Sequence, residues 1–79
     1  MTAMAPDYVL PNNAAPIKLT KKENQVLLLI REGLSSKEAA DSMDISKRTV
    51  DFHLSNIYFK LNVRNRFRAV KQAQILGLI

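Results

Sequence analysis

Apolar residues recur at helical spacing along most of the chain, and residues with helix-capping side chains punctuate them. Thr20 and Glu23 have the spacing of a capping box, in which each side chain accepts a hydrogen bond from the other residue's backbone N–H. Apolar side chains follow this box at Val26, Leu27, Leu29 and Ile30. Gly33 then predicts the end of a first helix, because glycine readily adopts the left-handed conformation that closes a helix.

A second capping box and a tight turn come next. Ser35 and Glu38 have the same spacing and predict a short second helix that extends to about Met43. Asp44 predicts a turn without glycine, since its short side chain tolerates the left-handed region.

Two longer helical segments follow, each preceded by a capping residue. Ser46 caps a third helix over about residues 47–61, and Asn65 caps a fourth over about residues 66–76. No segment alternates with the two-residue period of a strand. The predicted fold class is therefore all-α, a compact four-helix domain over residues 17–79.

The third predicted helix has two contrasting sides. At about 100° per residue, one narrow sector should face the core and contains Val50, Leu54, Ile57 and Leu61. The opposite side carries Arg48, Phe52, Ser55 and Phe59, with Lys47 and Asp51 at its margins. A short helix, a tight turn and a longer helix with a basic start are typical of a helix-turn-helix motif, here at about residues 35–60. An ordinary helical hairpin has the same pattern and stays an alternative.

The fourth predicted helix also divides into two sides. Its inward stripe consists of Ala69, Val70, Ala73 and Leu76, and the opposite side carries Phe67, Lys71, Gln74 and Leu78. Two large apolar side chains exposed on a terminal helix predict a dimer interface that is the same on both subunits. The alternative is a frayed chain end.

The first sixteen residues differ from the rest of the chain. They contain all three prolines and show no helical period. We interpret residues 1–16 as a flexible N-terminal arm or linker.

Charge indicates the kind of partner. The net charge is +5, but residues 1–46 carry five basic and six acidic groups, whereas residues 47–79 carry seven basic groups and one acidic group. Positive charge concentrated on one part of a small domain favours a polyanion, most simply nucleic acid. A solvated basic face is the alternative.

Composition excludes most catalytic and cofactor sites. The chain has no cysteine, one histidine and two glycines, so it lacks a thiolate site, a histidine-based zinc site and a Gly-rich phosphate loop. Asp51, His53 and Ser55 are the residue types of a catalytic triad, but residues two apart on a helix point about 200° apart. We therefore expect no enzyme activity, no catalytic residue, no metal and no cofactor.

Nothing in the sequence indicates a membrane protein. The longest apolar run is Val26–Ile30, far shorter than the roughly 20 residues of a membrane span. The first ten residues lack the basic start of a signal peptide. We expect a cytoplasmic protein with no membrane partner.

Taken together, the capping residues, apolar positions and turn residues follow the pattern of a known family. The pattern resembles the LuxR-type (GerE-type) helix-turn-helix DNA-binding domain of bacterial transcription regulators, without a gap, over residues 17–79. The matching residues are Leu19, Thr20, Glu23, Val26, Leu27, Gly33, Leu34, Ser35, Lys37, Glu38, Ala40, Ile45, Ser46, Thr49, Val50, His53, Leu54, Ile57, Lys60, Leu61, Val63, Asn65, Arg66 and Ala69.

The resemblance implies a sequence-specific regulator that binds double-stranded DNA. The third helix would lie in the major groove, with base contacts from Asp51, Phe52 and Ser55. The implied contacts to the DNA backbone are Lys37, Ser46, Lys47, Arg48, Thr49 and Lys60. The fourth helix would form a homodimer on a two-fold-related site, through Phe67, Lys71, Gln74 and Leu78. RNA polymerase is a candidate further partner.

Several residues depart from the family pattern. Many relatives carry lysine or arginine in place of Asp51, whose carboxylate can accept a hydrogen bond from cytosine but repels phosphate. Phe52 offers only an apolar contact, for example to a thymine methyl group. Leu28 and Phe59 replace residues that are usually polar. They are either scattered surface residues or contacts to the arm or a partner subunit.

These departures keep two rival functions open. One is a protein-interaction module that has lost DNA readout, which Leu28, Phe52 and Phe59 would serve. The other is the similar DNA-binding domain of a sigma factor. Relatives usually attach this domain to a receiver or ligand-binding domain, so the chain is either a stand-alone regulator or part of a larger one.

Overall fold

The computed structural model describes residues 17–79, and the predicted arm over residues 1–16 lies outside the described part. The described residues form four helices, α1 (Lys21–Arg31), α2 (Ser36–Met43), α3 (Lys47–Leu61) and α4 (Arg66–Ile75). The described residues contain no strand, so the all-α prediction is confirmed. Within the same residues, no helix is long and apolar enough to cross a membrane.

All four helices begin at the predicted capping residues. In α1 the Thr20 Oγ1 accepts from the Glu23 N–H at 3.1 Å, and the Glu23 Oε1 accepts from the Thr20 N–H at 2.9 Å. Ser35 and Glu38 form the same box at the start of α2, with distances of 3.1 and 2.8 Å. The Ser46 hydroxyl caps α3 and the Asn65 side chain caps α4. These contacts satisfy backbone donors that a helix start leaves without an internal partner.

All four helices also end in the same way. A residue with positive φ follows each helix, at Gly33 (97°), Asp44 (58°), Asn62 (55°) and Gly77 (72°). The next residue then donates its N–H to a carbonyl five positions earlier, as from Leu34 to Leu29 at 3.2 Å and from Leu78 to Ala73 at 2.8 Å. This is the Schellman motif, and it returns an aliphatic side chain to the body of the domain. Such residues at the ends of α2, α3 and α4 are Ile45, Val63 and Leu78, and they pack against the core.

The core is built around α3, which packs against the three other helices. The predicted core residues Val50, Leu54, Ile57 and Leu61 are all buried. They meet Val26, Leu27 and Ile30 of α1, Ala39 and Ala40 of α2, and Ala69 and Ala73 of α4. With its inner side filled in this way, α3 is held along its length and its opposite side is left to solvent.

The predicted sides of α4 are wrong at its C-terminal end. Leu76, expected in the inward stripe, is 44% exposed. Leu78, expected on the outer side with Phe67, instead lies half-buried against the core. For Leu78 the reason is the left-handed residue Gly77, because the angles of a helical wheel no longer apply once the chain leaves the helix. The Leu78 carbonyl also accepts a 3.1 Å hydrogen bond from the Asn24 side chain of α1, which fixes the chain end.

Candidate nucleic-acid interface

The outer side of α3 is the largest exposed feature predicted from the sequence, and the structure places it as expected. Arg48, Phe52, Ser55 and Phe59 are all exposed. The two aromatic side chains are unusually open, with Phe52 at 62% and Phe59 at 88% of their full accessible surface. A rigid helix therefore presents one arginine, one hydroxyl and two aromatic rings in a line of about three turns.

The first turn of α3 carries hydroxyl groups and cations together. Ser46 Oγ accepts from the Thr49 N–H at 3.0 Å and lies 2.8 Å from the Thr49 hydroxyl oxygen. Lys47 and Arg48 follow at exposed positions, and Arg48 forms no ion pair with any residue that the structure describes. This combination of cations, hydroxyls and a helix N-terminus suits binding of phosphate oxygens.

The Asp51 carboxylate does not project freely from α3. Lys47 Nζ donates to its Oδ2 at 2.8 Å, across one turn of the helix. The pKa of Asp51 is below its ordinary value because Lys47 and the Ser36 hydroxyl stabilise the charged form, with Lys47 the larger cause. The predicted base contact is therefore already engaged with groups of its own domain.

Ser36 and Arg66 form a link between α2 and α4 that sequence reasoning missed. The Ser36 side chain is only 4% exposed, and its Oγ accepts a 3.0 Å hydrogen bond from Arg66 Nη2. Ser36 and Arg66 are 30 residues apart, so no local spacing in the sequence indicates this contact. The Arg66 charge also acts on Asp51 and Tyr58, so α2, α3 and α4 meet at one polar junction.

All three lysines of the predicted phosphate set have partners inside the domain, and the partner of Lys47 is Asp51. Lys37 lies 3.6 Å from Asp41 in an exposed pair on α2, which is weak in water and leaves the lysine available. Lys60 instead donates to the buried Glu23 at 2.7 Å and to the Lys18 carbonyl at 3.1 Å. Because this pair would have to break before Lys60 met phosphate, the phosphate contact that the resemblance implies for Lys60 competes with a contact that stabilises the fold.

His53 takes no part in a catalytic arrangement with its neighbours on the helix. Its side chain is half-buried, and its ring lies against that of Phe52 with centroids 5.9 Å apart. Asp51 turns to Lys47 instead, and Ser55 is exposed on another side of α3.

The outer side of α4 carries a stripe that differs from the prediction in one residue. Phe67 and Ile75 are exposed on either side of Lys71, whose Nζ lies 6.0 Å from the centre of the Phe67 ring. Gln74 is exposed beside them. Ile75 takes the place that the sequence assigned to Leu78, since residues 67, 71 and 75 are spaced four apart on one helix.

A basic groove also lies where the end of α3 meets α4. It encloses about 730 Å³ and its cations are Arg64, Arg68 and Lys71. The groove lies at the far end of α3 from Arg48. Exposed positive charge thus lies at both ends of α3.

Residues 18–73 match the family described as bacterial regulatory proteins, luxR family (GerE). The chain belongs to the luxR family. The family resemblance noted in the sequence is confirmed. The chain is thus the DNA-binding type of domain found in transcriptional regulators, and the family consists of regulators rather than enzymes.

The relatives described next are regulators of transcription. The luxR-type domain is 39% identical over 70 residues to the transcriptional activator protein LuxR of Aliivibrio fischeri, covering 89% of this chain and 28% of the relative. It is 43% identical over 61 residues to the transcriptional activator protein AnoR of Acinetobacter nosocomialis, covering 77% of this chain and 26% of the relative. The chain therefore spans about a quarter of the length of these relatives.

Solved structures agree on the fold. The luxR-type domain superposes on the response regulator ChrA of a heme-sensing two-component system with a TM-score of 0.78 and 36% identity, over 84% of this chain and 33% of ChrA. It superposes on the transcription factor GerE with a TM-score of 0.71 and 34% identity, over 75% of this chain and 88% of GerE.

Proposed function

We propose that this chain is a sequence-specific DNA-binding module that places the start of α3 in the major groove of double-stranded DNA. The observation that carries this proposal is the division of α3 into a filled inner side and an open outer side. Val50, Leu54 and Ile57 are buried, so the helix is fixed while Phe52 and Ser55 remain exposed. A rigid helix with short and apolar groups in its exposed first turns can approach base edges closely.

Two classes of contact follow from this placement. Phe52 is suited to a thymine methyl group, and the Ser55 hydroxyl can donate to or accept from a base edge. Lys37, Lys47 and Arg48 supply charge for phosphates, and Ser46 and Thr49 supply hydroxyls and N–H groups at the helix start. The base contacts determine which DNA sequence is preferred. The phosphate contacts determine how the domain is positioned on the duplex and supply much of the affinity.

We further propose that two copies bind a two-fold-related site through the outer side of α4. Phe67, Lys71, Gln74 and Ile75 form the contact, and each subunit uses the same patch. A regulator bound in this way acts in the bacterial cytoplasm, and RNA polymerase is the further partner that we propose for it near a promoter.

The experiment that tests this function is a selection from randomised duplex with the purified chain. We expect enrichment of a short motif repeated with two-fold symmetry, with centres about one helical turn, 10–10.5 base pairs, or a multiple of it apart. Absence of any enriched motif would contradict sequence-specific binding. That result would favour the protein-interaction alternative, for which the exposure of Phe59 at 88% is the relevant observation.

A further inference from the structure

The Asp51 carboxylate is paired with a cation of its own helix, near the start of two other helices. Lys47 of α3 donates to its Oδ2 at 2.8 Å. Ser36, the first residue of α2, accepts a 3.0 Å hydrogen bond from Arg66, the first residue of α4. The Ser36 hydroxyl and the Arg66 charge both help to lower the pKa of Asp51. One carboxylate is thus bonded to one cation and lies in the field of a second.

The donor and acceptor capacity of the Ser36 hydroxyl determines which of its neighbours can donate to it and which can accept from it. A serine hydroxyl has one hydrogen to donate and two lone pairs. Arg66 Nη2 donates to the Ser36 Oγ at 3.0 Å, because a guanidinium only donates. The single hydroxyl hydrogen of Ser36 is then available for an acceptor, and Asp51 is the carboxylate beside it. Since Ser36 is nearly fully buried, water competes poorly for this arrangement.

A base contact by Asp51 would have two costs. The carboxylate would have to leave Lys47, a small cost because this pair is exposed, and it would bring negative charge close to phosphates on both sides of the groove. Phe52 and Ser55 have no such cost, because the outer side of α3 already exposes them.

We propose that Asp51 is a positioning residue that lowers the affinity of the domain for duplex DNA and reads no base. It pairs with Lys47, offsets part of the nearby positive charge of Arg66, and so lowers the affinity of the domain for duplex of any sequence. The base contacts of Phe52 and Ser55 then account for a larger share of the total binding free energy. The proposal rests on the DNA-binding function proposed above, and it replaces the base contact that the family resemblance implied for Asp51.

The test compares wild type with Asp51→Asn on the selected duplex and on a scrambled duplex. We expect both affinities to rise by the same factor, roughly three- to tenfold, and the slope of log affinity against log salt to steepen by about one unit. A repeated selection with Asp51→Asn should return the wild-type motif. Asp44→Asn is the matched control, because it removes the same charge at an exposed residue that forms no ion pair within the described residues. The gain in affinity from Asp44→Asn should be smaller than the gain from Asp51→Asn.

Action through the two cations is tested by a double-mutant cycle. In a Lys47→Gln/Arg66→Gln background, the gain from Asp51→Asn should fall to that of Asp44→Asn. Lys47→Gln alone, at an exposed position, should remove at least half of the gain and keeps the test available if Arg66→Gln loosens α4. The proposal fails if Asp51→Asn changes the preferred base at one position, if it changes neither affinity, or if its full gain persists without Lys47. Failure of the wild type to select any motif would instead contradict the proposed function.

Discussion

Lys60 of α3 donates a 2.7 Å hydrogen bond to Oε1 of Glu23 in α1, and the carboxylate that it meets is only 3% exposed. The same Glu23 oxygen accepts the Thr20 N–H that starts α1. Lys60 also donates to the Lys18 carbonyl. A local helix cap and a long-range ion pair therefore share one atom, which ties the start of α1 to the end of the helix proposed to read DNA.

Removal of Lys60 should destabilise the domain more than neutralisation of Glu23. Lys60→Met leaves a buried carboxylate with only its backbone partner, which costs about 1–3 kcal/mol of the free energy of unfolding. Glu23→Gln keeps an acceptor for Thr20, and the freed Lys60 ammonium can reach water, so the loss should be smaller. Urea unfolding followed by circular dichroism measures both. Lys22→Met, at an exposed lysine of the same region, is the control and should change little.

The same carboxylate should make stability depend on pH in the acid range. Burial alone would raise the pKa of Glu23, but the hydrogen bonds from Lys60 and Thr20 and the Lys60 charge outweigh it and hold the pKa below its ordinary value of 4.5. A carboxylate with a lowered pKa in the folded state stabilises the fold above its unfolded pKa, and this contribution is lost as pH falls through the folded value.

We therefore expect the free energy of unfolding to fall more steeply in wild type than in Glu23→Gln as pH drops through the ordinary pKa of 4.5 and on through the lowered pKa of the folded state. Glu38 and Asp51, whose pKa values are also lowered, titrate in both proteins and cancel in the comparison. Identical pH profiles for the two proteins would show that Glu23 does not carry this dependence.

The starts of the helices were predictable from the sequence because a cap is a local structure. Thr20 with Glu23 and Ser35 with Glu38 are three residues apart, so sequence spacing alone fixes their hydrogen bonds. Helix ends were predicted at Gly33 and Asp44 by the same local argument. The left-handed conformation of Asn62 was not predicted, because asparagine also occurs in many other conformations. Only its observed φ of 55° identifies it as the residue that ends α3.

The tertiary contacts of the candidate site were not predictable in this way. Glu23 and Lys60 are 37 residues apart, and Ser36 and Arg66 are 30 apart. From the sequence alone, each lysine or arginine could pair with any of several carboxylates or with phosphate. Only the packing of the helices shows which partner is within reach. The exposed side of α3 was predictable, because it lies opposite the regularly spaced apolar residues that face the core.

Asn62 should tolerate glycine better than any residue with a branched side chain. Its φ of 55° lies in the left-handed region, which costs about 1–2 kcal/mol for most residues and little for glycine. We expect Asn62→Gly to be neutral or slightly stabilising and Asn62→Val to lower the melting temperature by several degrees, since about 1 kcal/mol shifts a domain of this size by roughly 4–8 °C. The glycine and valine variants serve as each other's control. Equal melting temperatures would contradict the argument.

Arg48 should contribute to the salt dependence of DNA binding. It is exposed in the first turn of α3, and each phosphate that a cation neutralises contributes about 0.9 to the slope of log affinity against log salt. Arg48→Ala should lower this slope by about one unit on both selected and random duplex. Arg31→Ala, at the exposed end of α1, should leave the slope unchanged. If both variants behave alike, Arg48 does not face phosphate.

The outer side of α4 should matter only when two copies bind together. Phe67 and Ile75 are exposed on either side of Lys71, and burial of one aromatic side chain is worth roughly 1.5–3 kcal/mol. Arg64, Arg66, Arg68 and Lys71 add four positive charges to this region. These charges repel between copies, so pairing should be strongest on DNA, whose phosphates screen them.

Phe67→Ser should therefore weaken binding to the full two-fold site by at least about tenfold and leave binding to a duplex with one half-site unchanged, since each dimer loses two buried rings. Titration of both duplexes with the same protein preparation measures the difference. Phe59→Ser is the matched control, because Phe59 is an exposed phenylalanine on α3 instead of α4. Phe59→Ser should not reduce the difference in affinity between the full two-fold site and the duplex with one half-site. An equal loss on both duplexes with Phe67→Ser would show that Phe67 acts on the fold or on DNA, and the dimer through α4 would be wrong.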